Sequence, residues 1–436
     1  MTPALSAQPM KDSGIEWVGQ VPSHWEVRPF YSFASEVDHS NTGLKERNLL
    51  SLSYGRLVRK DMDRLEGLTP ASFEGYNIIE ADDIVFRLTD LQNDQTSLRS
   101  ARSSERGIIT SAYVTVRPQA SPRFFEYLMR SYDTTKVFYG IGGGIRQSMK
   151  FADLKRLPVV VPPPTEMDEI ASHLDRATTR IDALVAKKTR FIELLREKRQ
   201  ALITHAVTKG LDRGVPMKDS GVEWLGEVPV TWTPTKVCFL AQKIGSGKTP
   251  SGGAKVYADV GIPFLRSQNI YDDGIRLDDV AYITSDIHGE MGISQVRPWD
   301  VLLNITGGSI GRAALVPGTF GEANVNQHVC IVRVANPTLA RWVHMCFRAQ
   351  STKEQIDALQ SGANREGLNF EQVGNLRLAL PPNQQIERTL EYLDKRIEQI
   401  DTLITKTECS IELLREHRTA LITAAVTGKI DLRPSA

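Results

Sequence analysis

Cysteine is scarce. Four occur in 436 residues (Cys238, Cys330, Cys346 and Cys409), all in the second half and none in a CxxC spacing. That excludes a disulfide scaffold or a zinc ribbon and suits thiols that stay reduced, either buried or incidental. Long apolar runs are also missing. Nothing approaches the roughly 18 residues a membrane-spanning helix needs, so no membrane contact is expected. The opening "MTPALSAQPMKDSG" has no basic stretch followed by an apolar one, so secretion is not expected and the chain reads as cytoplasmic. A surplus of one charge sign is absent too: 53 Lys+Arg face 52 Asp+Glu, for a net charge of +1. Composition alone gives no argument for nucleic acid, although one basic face on a balanced chain stays possible.

Catalytic signatures are equally thin. The eight histidines form no HExxH and no metal-ligand cluster. No Asn/Asp-Pro-Pro-aromatic methyltransferase motif appears, and no serine or cysteine nucleophile arrangement stands out. "GSGKT" at 245–249 imitates the end of a phosphate-binding loop. The position five before Gly247, which must be glycine in that motif, is Gln242, and Pro250 follows at once. It is read as a loop. "TGGSIGR" at 306–312 lacks the spacing of a dinucleotide fingerprint.

What the chain does have is repetition. "MKDSGIEWVGQVP" at 10–22 returns as "MKDSGVEWLGEVP" at 217–229, identical at ten of thirteen positions. "IELLREKRQALITHAVT" at 192–208 returns as "IELLREHRTALITAAVT" at 411–427, identical at fourteen of seventeen, with an offset of 219. The same offset aligns Arg146 with Arg365 and Pro162-Pro163 with Pro381-Pro382. Two tandem copies therefore share their flanks and differ in their interiors, which implies one architecture carrying two specificities.

The closing stretch of each copy has a 3.5-residue apolar period. Ile386, Leu390, Leu393, Ile397, Ile400, Ile404, Ile411, Leu414, Leu421 and Ala425 mark it in the second copy. The first copy runs from Met167 to Ala206 in the same register, and each copy has an arginine at the same late position, Arg199 and Arg418. The prolines set the start of each helix, and Gly210 and Gly428 its end. A helix of about 42 residues would span roughly 63 Å at about 1.5 Å per residue. Its stripe needs a partner. Antiparallel pairing of the two helices within one chain satisfies both stripes; a coiled coil between separate chains is the other solution.

The interiors show short β-type runs ("NLLSLSYGRLV", "DDIVFRLTD", "GIPFLRSQNI", "DVLLNITGGSIG"), then a helical piece, then a last strand before the prolines. This predicts an α+β fold with two globular modules alternating with the two long helices, related as a pseudo-twofold tandem repeat. The expected segments are 1–26, 27–160 (first module), 161–210 (helix), 211–234 (linker), 235–380 (second module), 381–428 (helix) and 429–436. Loop arginines and amides are the remaining chemistry. Arginine suits guanine edges, Asn and Gln suit adenine edges, and Lys or Ser suits phosphates. Candidates for DNA contact are Arg56, Arg59, Lys60, Arg99, Arg102, Arg106 and Arg146 in the first module. In the second they are Lys248, Arg266, Gln268, Asn269, Asn304, Ser309, Arg312, Asn326, Gln327 and Arg365. Any single surface arginine is more often simply solvated.

The repeated "MKDSGxEWxGxVPxxW", the Pro-Pro helix starts and "LLREx-R-x-ALITxAVT" resemble the specificity subunits of type I restriction-modification systems, over nearly the whole chain. Glu166 and Gln385 stand where that family usually has a Glu-Gln pair. The resemblance implies two target recognition domains, each reading half of a bipartite double-stranded DNA sequence, and paired helices that fix the gap. It implies docking of two modification (methyltransferase) subunits and, through the complex, restriction (helicase-nuclease) subunits. S-adenosylmethionine, ATP and magnesium would belong to those partners, with no cofactor and no catalytic centre in this chain. "GKTP" at 247–250 fits the family's entrance to a recognition domain. The rivals are a standalone enzyme and a coiled-coil adaptor without sequence-specific DNA binding. Trp17 and Trp224, with Val21-Pro22 and Val228-Pro229, are expected to be packing anchors.

Overall fold

The computed structural model describes residues 9–62, 72–89, 91, 98–141, 149–212, 214–360 and 367–431. The chain forms two compact units. One is Met1–Thr189 with Cys409–Ala436, and the other is Arg190–Glu408.

In the first unit the repeated phrase makes a small antiparallel pair, Met10–Asp12 against Gln20–Pro22. The strand Glu26–Pro29 then pairs with Pro158–Val161, so the start and end of the module are stitched together. Between them lies a four-stranded antiparallel sheet in the order Ala34–Glu36, Val114–Pro118, Ile84–Phe86, Ser100–Arg102. The helix Pro122–Thr134 buries Phe124, Phe125, Leu128 and Met129 in the core, with Pro122 fitting its first turn. Phe30, Phe86 and Phe138 fill the same core, and fully burying each such side chain contributes about 1.5–3 kcal/mol. Met167, Ile170, Ala171 and Leu174 of the long helix Pro164–Lys209 also enter it, as do Ile422, Ala425 and Val426 of the other long helix, Asn383–Val426.

The second unit repeats this plan with almost unrelated interior sequence. Thr233–Lys236 pairs with Arg377–Leu380. The four-stranded sheet runs Ala241–Ser246, Val329–Val334, Val301–Asn304, Ala313–Leu315, the same order of chain segments as in the first module. The helix Pro337–Arg348 is capped by Asn336, whose side chain accepts from the Leu339 N–H at 2.9 Å. This module adds a three-stranded sheet, Ala281–Ile283, Ile262–Leu265 and Asn324–Val325, the last two parallel. Its core takes Ile203, Ala206 and Val207 from the first long helix and Ile386, Leu390 and Leu393 from the second.

The long helices therefore pair within one chain, inside each unit. In the second unit Arg196 reaches Glu408 at 3.1 Å, and Arg199, one turn on, pairs with Asp401, nearly two turns back, so the helices are antiparallel there. In the first unit Arg418 pairs with Asp182 at 3.1 Å. Thr178 occupies a seam position because its hydroxyl donates to the Leu174 carbonyl at 2.7 Å. Gly210 and Gly428 end the helices with φ of 78° and 69°, as the sequence predicts.

The packing-anchor expectation holds in part. Val21-Pro22 and Val228-Pro229 are buried and Trp17 packs half-buried against the first core, edge-on to Tyr132, but Trp224 is 37% exposed. The deep anchors are Trp25 and Trp232, which close the repeated phrase. Trp25 Nε1 donates to Glu166 at 3.0 Å and Trp232 Nε1 to Gln385 at 2.7 Å. Each tryptophan thus locks the phrase to the first turn of a long helix, which needs an acceptor at that position and not a particular acid or amide.

Candidate nucleic-acid interface

In the first module Leu50–Ser53 and Arg56–Arg59 form a hairpin with a two-residue turn, Tyr54-Gly55. Both turn residues have positive φ, 48° and 71°, which suits the right-handed twist of a hairpin. The turn holds Tyr54 at the tip, 84% exposed, beside the exposed Arg56. Arg59 pairs with Glu105. Arg102 bridges Asp82 at 2.6 Å and Glu126 at 2.9 Å, and Arg106 bridges Glu80 at 2.8 Å and Glu46 at 3.1 Å. Lys60 and Arg56 make no ion pair among the described residues.

Arg99 departs from the sequence reading. It is fully buried, with Nη1 donating to the Thr89 carbonyl at 3.1 Å and Nε to the Tyr139 hydroxyl at 3.3 Å. It braces the module from within, because a desolvated guanidinium must spend its donors on local acceptors. Arg146 and Arg365 lie outside the described residues.

In the second module the amides also turn inward. Asn269 accepts from the Arg266 N–H at 2.9 Å and donates to the Arg276 carbonyl at 3.0 Å. Asn304 donates to the Ser267 carbonyl at 2.8 Å and to Ser309 Oγ at 3.0 Å. Asn326 accepts from the His328 N–H at 3.0 Å. All three are buried and shape the loops instead of lying on their surface. Exposed beside them are Lys248, Gln268 and Gln327. Gln268 donates to Asp279 at 2.6 Å, Gln327 accepts from the Thr249 hydroxyl, and Arg266 donates to the Asp279 carbonyl at 2.9 Å. In "GSGKT", Gly245 and Ser246 end the strand Ala241–Ser246, and 247–249 form a loop. The Gly247 backbone presses on the Val325 carbonyl, where a Cβ would come within 1.7 Å.

Sequence reasoning missed the hairpin Ile270–Tyr271 and Gly274–Ile275. Arg276 lies 3.7 Å from the Tyr271 ring centre and Arg312 5.1 Å, so two guanidinium groups are held against one aromatic ring. Asp272 fastens the hairpin by accepting from the Ala313 N–H at 3.0 Å and from Lys353 at 2.6 Å. The Asp-Asp-Gly turn in "NIYDDGIR" was the available signal. The buried thiols are inert: burial pushes Cys330 up to about 12 and also raises Cys346. Among the described residues no helix is long and apolar enough to cross a membrane.

The two modules share one sheet order, each is stitched to paired long helices, and each presents a different basic and aromatic hairpin. No protein-family model matches the chain. The specificity subunit of the EcoKI type I restriction enzyme of Escherichia coli (strain K12) is 20% identical over 209 residues, 47% of this chain and 44% of that protein. The EcoBI specificity subunit of Escherichia coli is 23% identical over 263 residues, 56% of this chain and 54% of that protein. The chain spans about half the length of the curated relatives it matches. Among solved structures, a chain from work on complex assembly and conformational transition of the type I restriction-modification system superposes with a TM-score of 0.71 at 15% identity. That match covers 94% of this chain and 99% of the other. The HsdS subunit of Thermoanaerobacter tengcongensis gives a TM-score of 0.52 at 14% identity, covering 94% and 98%. The sequence resemblance is matched by these relatives over about half of the chain, and the fold is that of these solved structures.

Proposed function

We propose that this chain is the DNA sequence-recognition subunit of a type I restriction-modification complex. The observation that carries the reading is the duplication of one module plan with two different loop surfaces. A bipartite target calls for that arrangement, and an adaptor does not. Each module reads one half-site through its hairpins. Lys60 in the first module and Arg276, Arg312, Gln268 and Lys248 in the second are the candidate groups for it. The number of residues in the long helices sets the gap between half-sites.

Two modification subunits fit the internal symmetry. Each unit exposes one leucine from each long helix, Leu184 and Leu413 in the first and Leu194 and Leu403 in the second. These pairs are related by the 219-residue offset and offer two equivalent apolar contacts. Methyl transfer with S-adenosylmethionine, and ATP- and magnesium-dependent cleavage, are then tasks of partner subunits. Methylome mapping of cells carrying this chain with its modification partner tests the reading. A bipartite adenine-methylation motif that disappears with the chain supports it; methylation with no dependence on the chain refutes it.

A further inference from the structure

Each module helix has two arginines spaced by two turns. The first of each pair, Arg123 or Arg341, reaches an aspartate of a long helix, Asp175 at 2.8 Å or Asp394. The second, Arg130 or Arg348, points into the junction and has no carboxylate within ion-pair distance among the described residues. Arg130 Nη2 donates only to carbonyls, of Gly55 at 2.8 Å and Ser100 at 2.9 Å. Carbonyl acceptors satisfy donors and leave the net charge uncancelled. Burial pushes the Arg130 guanidinium down against the opposing pull of Glu126 and Asp133, and the like charges of Arg418 and Arg56 add smaller pushes in the same direction.

Arg56, Arg130 and Arg418 line one cavity of about 270 Å³ in the first unit, and the exposed Tyr54 also lines it. The carboxylates on its wall are Glu126 and Asp182. Glu126 is also held by Arg102 at 2.9 Å, and Asp182 answers Arg418, whose buried Nε makes no hydrogen bond. The cavity wall is therefore short of negative charge and far larger than the roughly 30 Å³ share of one water molecule.

We propose that the first-module cavity binds a phosphate group, with Arg56 and Arg418 donating to its oxygens and Arg130 supplying charge from behind. A phosphodiester of a nucleic-acid strand and a free phosphate share this chemistry. The site concerns charge and not base identity, so it stands apart from the half-site reading above.

The test uses the full-length chain and two probes. In the first arm the melting midpoint is compared in sodium phosphate and in sodium chloride of equal ionic strength. Phosphate should raise it in the wild type, and Arg56→Gln and Arg418→Gln should each abolish the rise. Arg56 is exposed, so its variant keeps the fold. In the second arm a nonspecific DNA duplex is titrated across salt concentrations. Arg56→Gln should lower the slope of log K against log salt by about one. Both effects together assign a strand phosphate. A phosphate effect with an unchanged slope supports the site and assigns a free phosphate. The absence of a phosphate effect, with or without a change of slope, overturns the proposal even where chain-dependent bipartite methylation persists. Absence of such methylation would instead overturn the recognition reading and leave the phosphate arm intact.

Discussion

Arg418 and Asp182 face each other across the paired helices at 3.1 Å, and Arg199 and Asp401 repeat the pairing 219 residues apart in each partner. The arginine that interrupts each apolar seam is therefore an antiparallel register mark: only one sliding position brings both arginines to both aspartates. Asp182→Ala should leave Arg418 partly desolvated and unpaired. Both groups keep contact with water, so the expected loss is about 0.5–1 kcal/mol. A double-mutant cycle with Arg418→Ala in urea unfolding should recover a coupling of similar size; additive effects would remove the pair from the account.

Module exchange tests the division of labour. Replacing residues 27–157 with the corresponding region of another specificity subunit should change one half-site and leave the other and the gap unchanged. Methylome sequencing reads all three at once. Inserting whole heptads into both long helices should lengthen the gap alone.

Acid stability carries a specific signature. Burial, then the neighbouring Arg348 charge, pulls the His344 imidazole down to about 3, against the opposing pull of Asp272; its Nε2 donates to the Ala313 carbonyl at 3.1 Å. The folded value lies below the ordinary one, so the unfolded chain takes up the proton first as pH falls. Stability from this residue is full above its ordinary pKa of about 6.5 and declines between there and about 3, by at most about 1.4 kcal/mol per pH unit. His344→Gln should flatten that part of the urea-midpoint profile and leave it unchanged above pH 7.

The two helix-ending glycines should respond unequally to alanine. A Cβ on Gly428 would come within 2.2 Å of Pro22 Cδ, whereas on Gly210 the nearest atom is a Trp232 ring carbon at 3.2 Å. Both positions carry the left-handed penalty of about 1–2 kcal/mol. Overpacking should add about 1–3 kcal/mol at Gly428 only. Chemical denaturation of the two variants, followed by tryptophan fluorescence, ranks them.

The scaffold was legible because it obeys periodicities. The 3.5-residue stripe, the flanking prolines and glycines and the duplicated flanks each report backbone geometry directly, and pairing within one chain followed from matching seams. The interface was harder. A loop asparagine can face a base or brace a turn, and spacing does not separate the two; burial shows that Asn269, Asn304 and Asn326 brace. Arg99 misled for the same reason. Tyr54 and Tyr271 were overlooked because an aromatic residue in a β-type run reads as core until the turn that exposes it is located. The deepest tryptophan of each copy, Trp25 or Trp232, lies eight residues beyond the one the sequence reading chose, and it is the one with an acceptor waiting on the long helix.

The first unit draws its core from two distant stretches of chain. Ile422, Ala425 and Val426 pack with Trp25, Phe30 and Leu174, and Ile430 lies against the same cluster. The 219 residues from Arg190 to Glu408 all belong to the other unit. At about 5–20 residues per second, a ribosome needs roughly 10–40 s to make them. Through that interval the first module waits with an open apolar flank, while the second can close on contiguous chain. During synthesis the module made first is thus completed last.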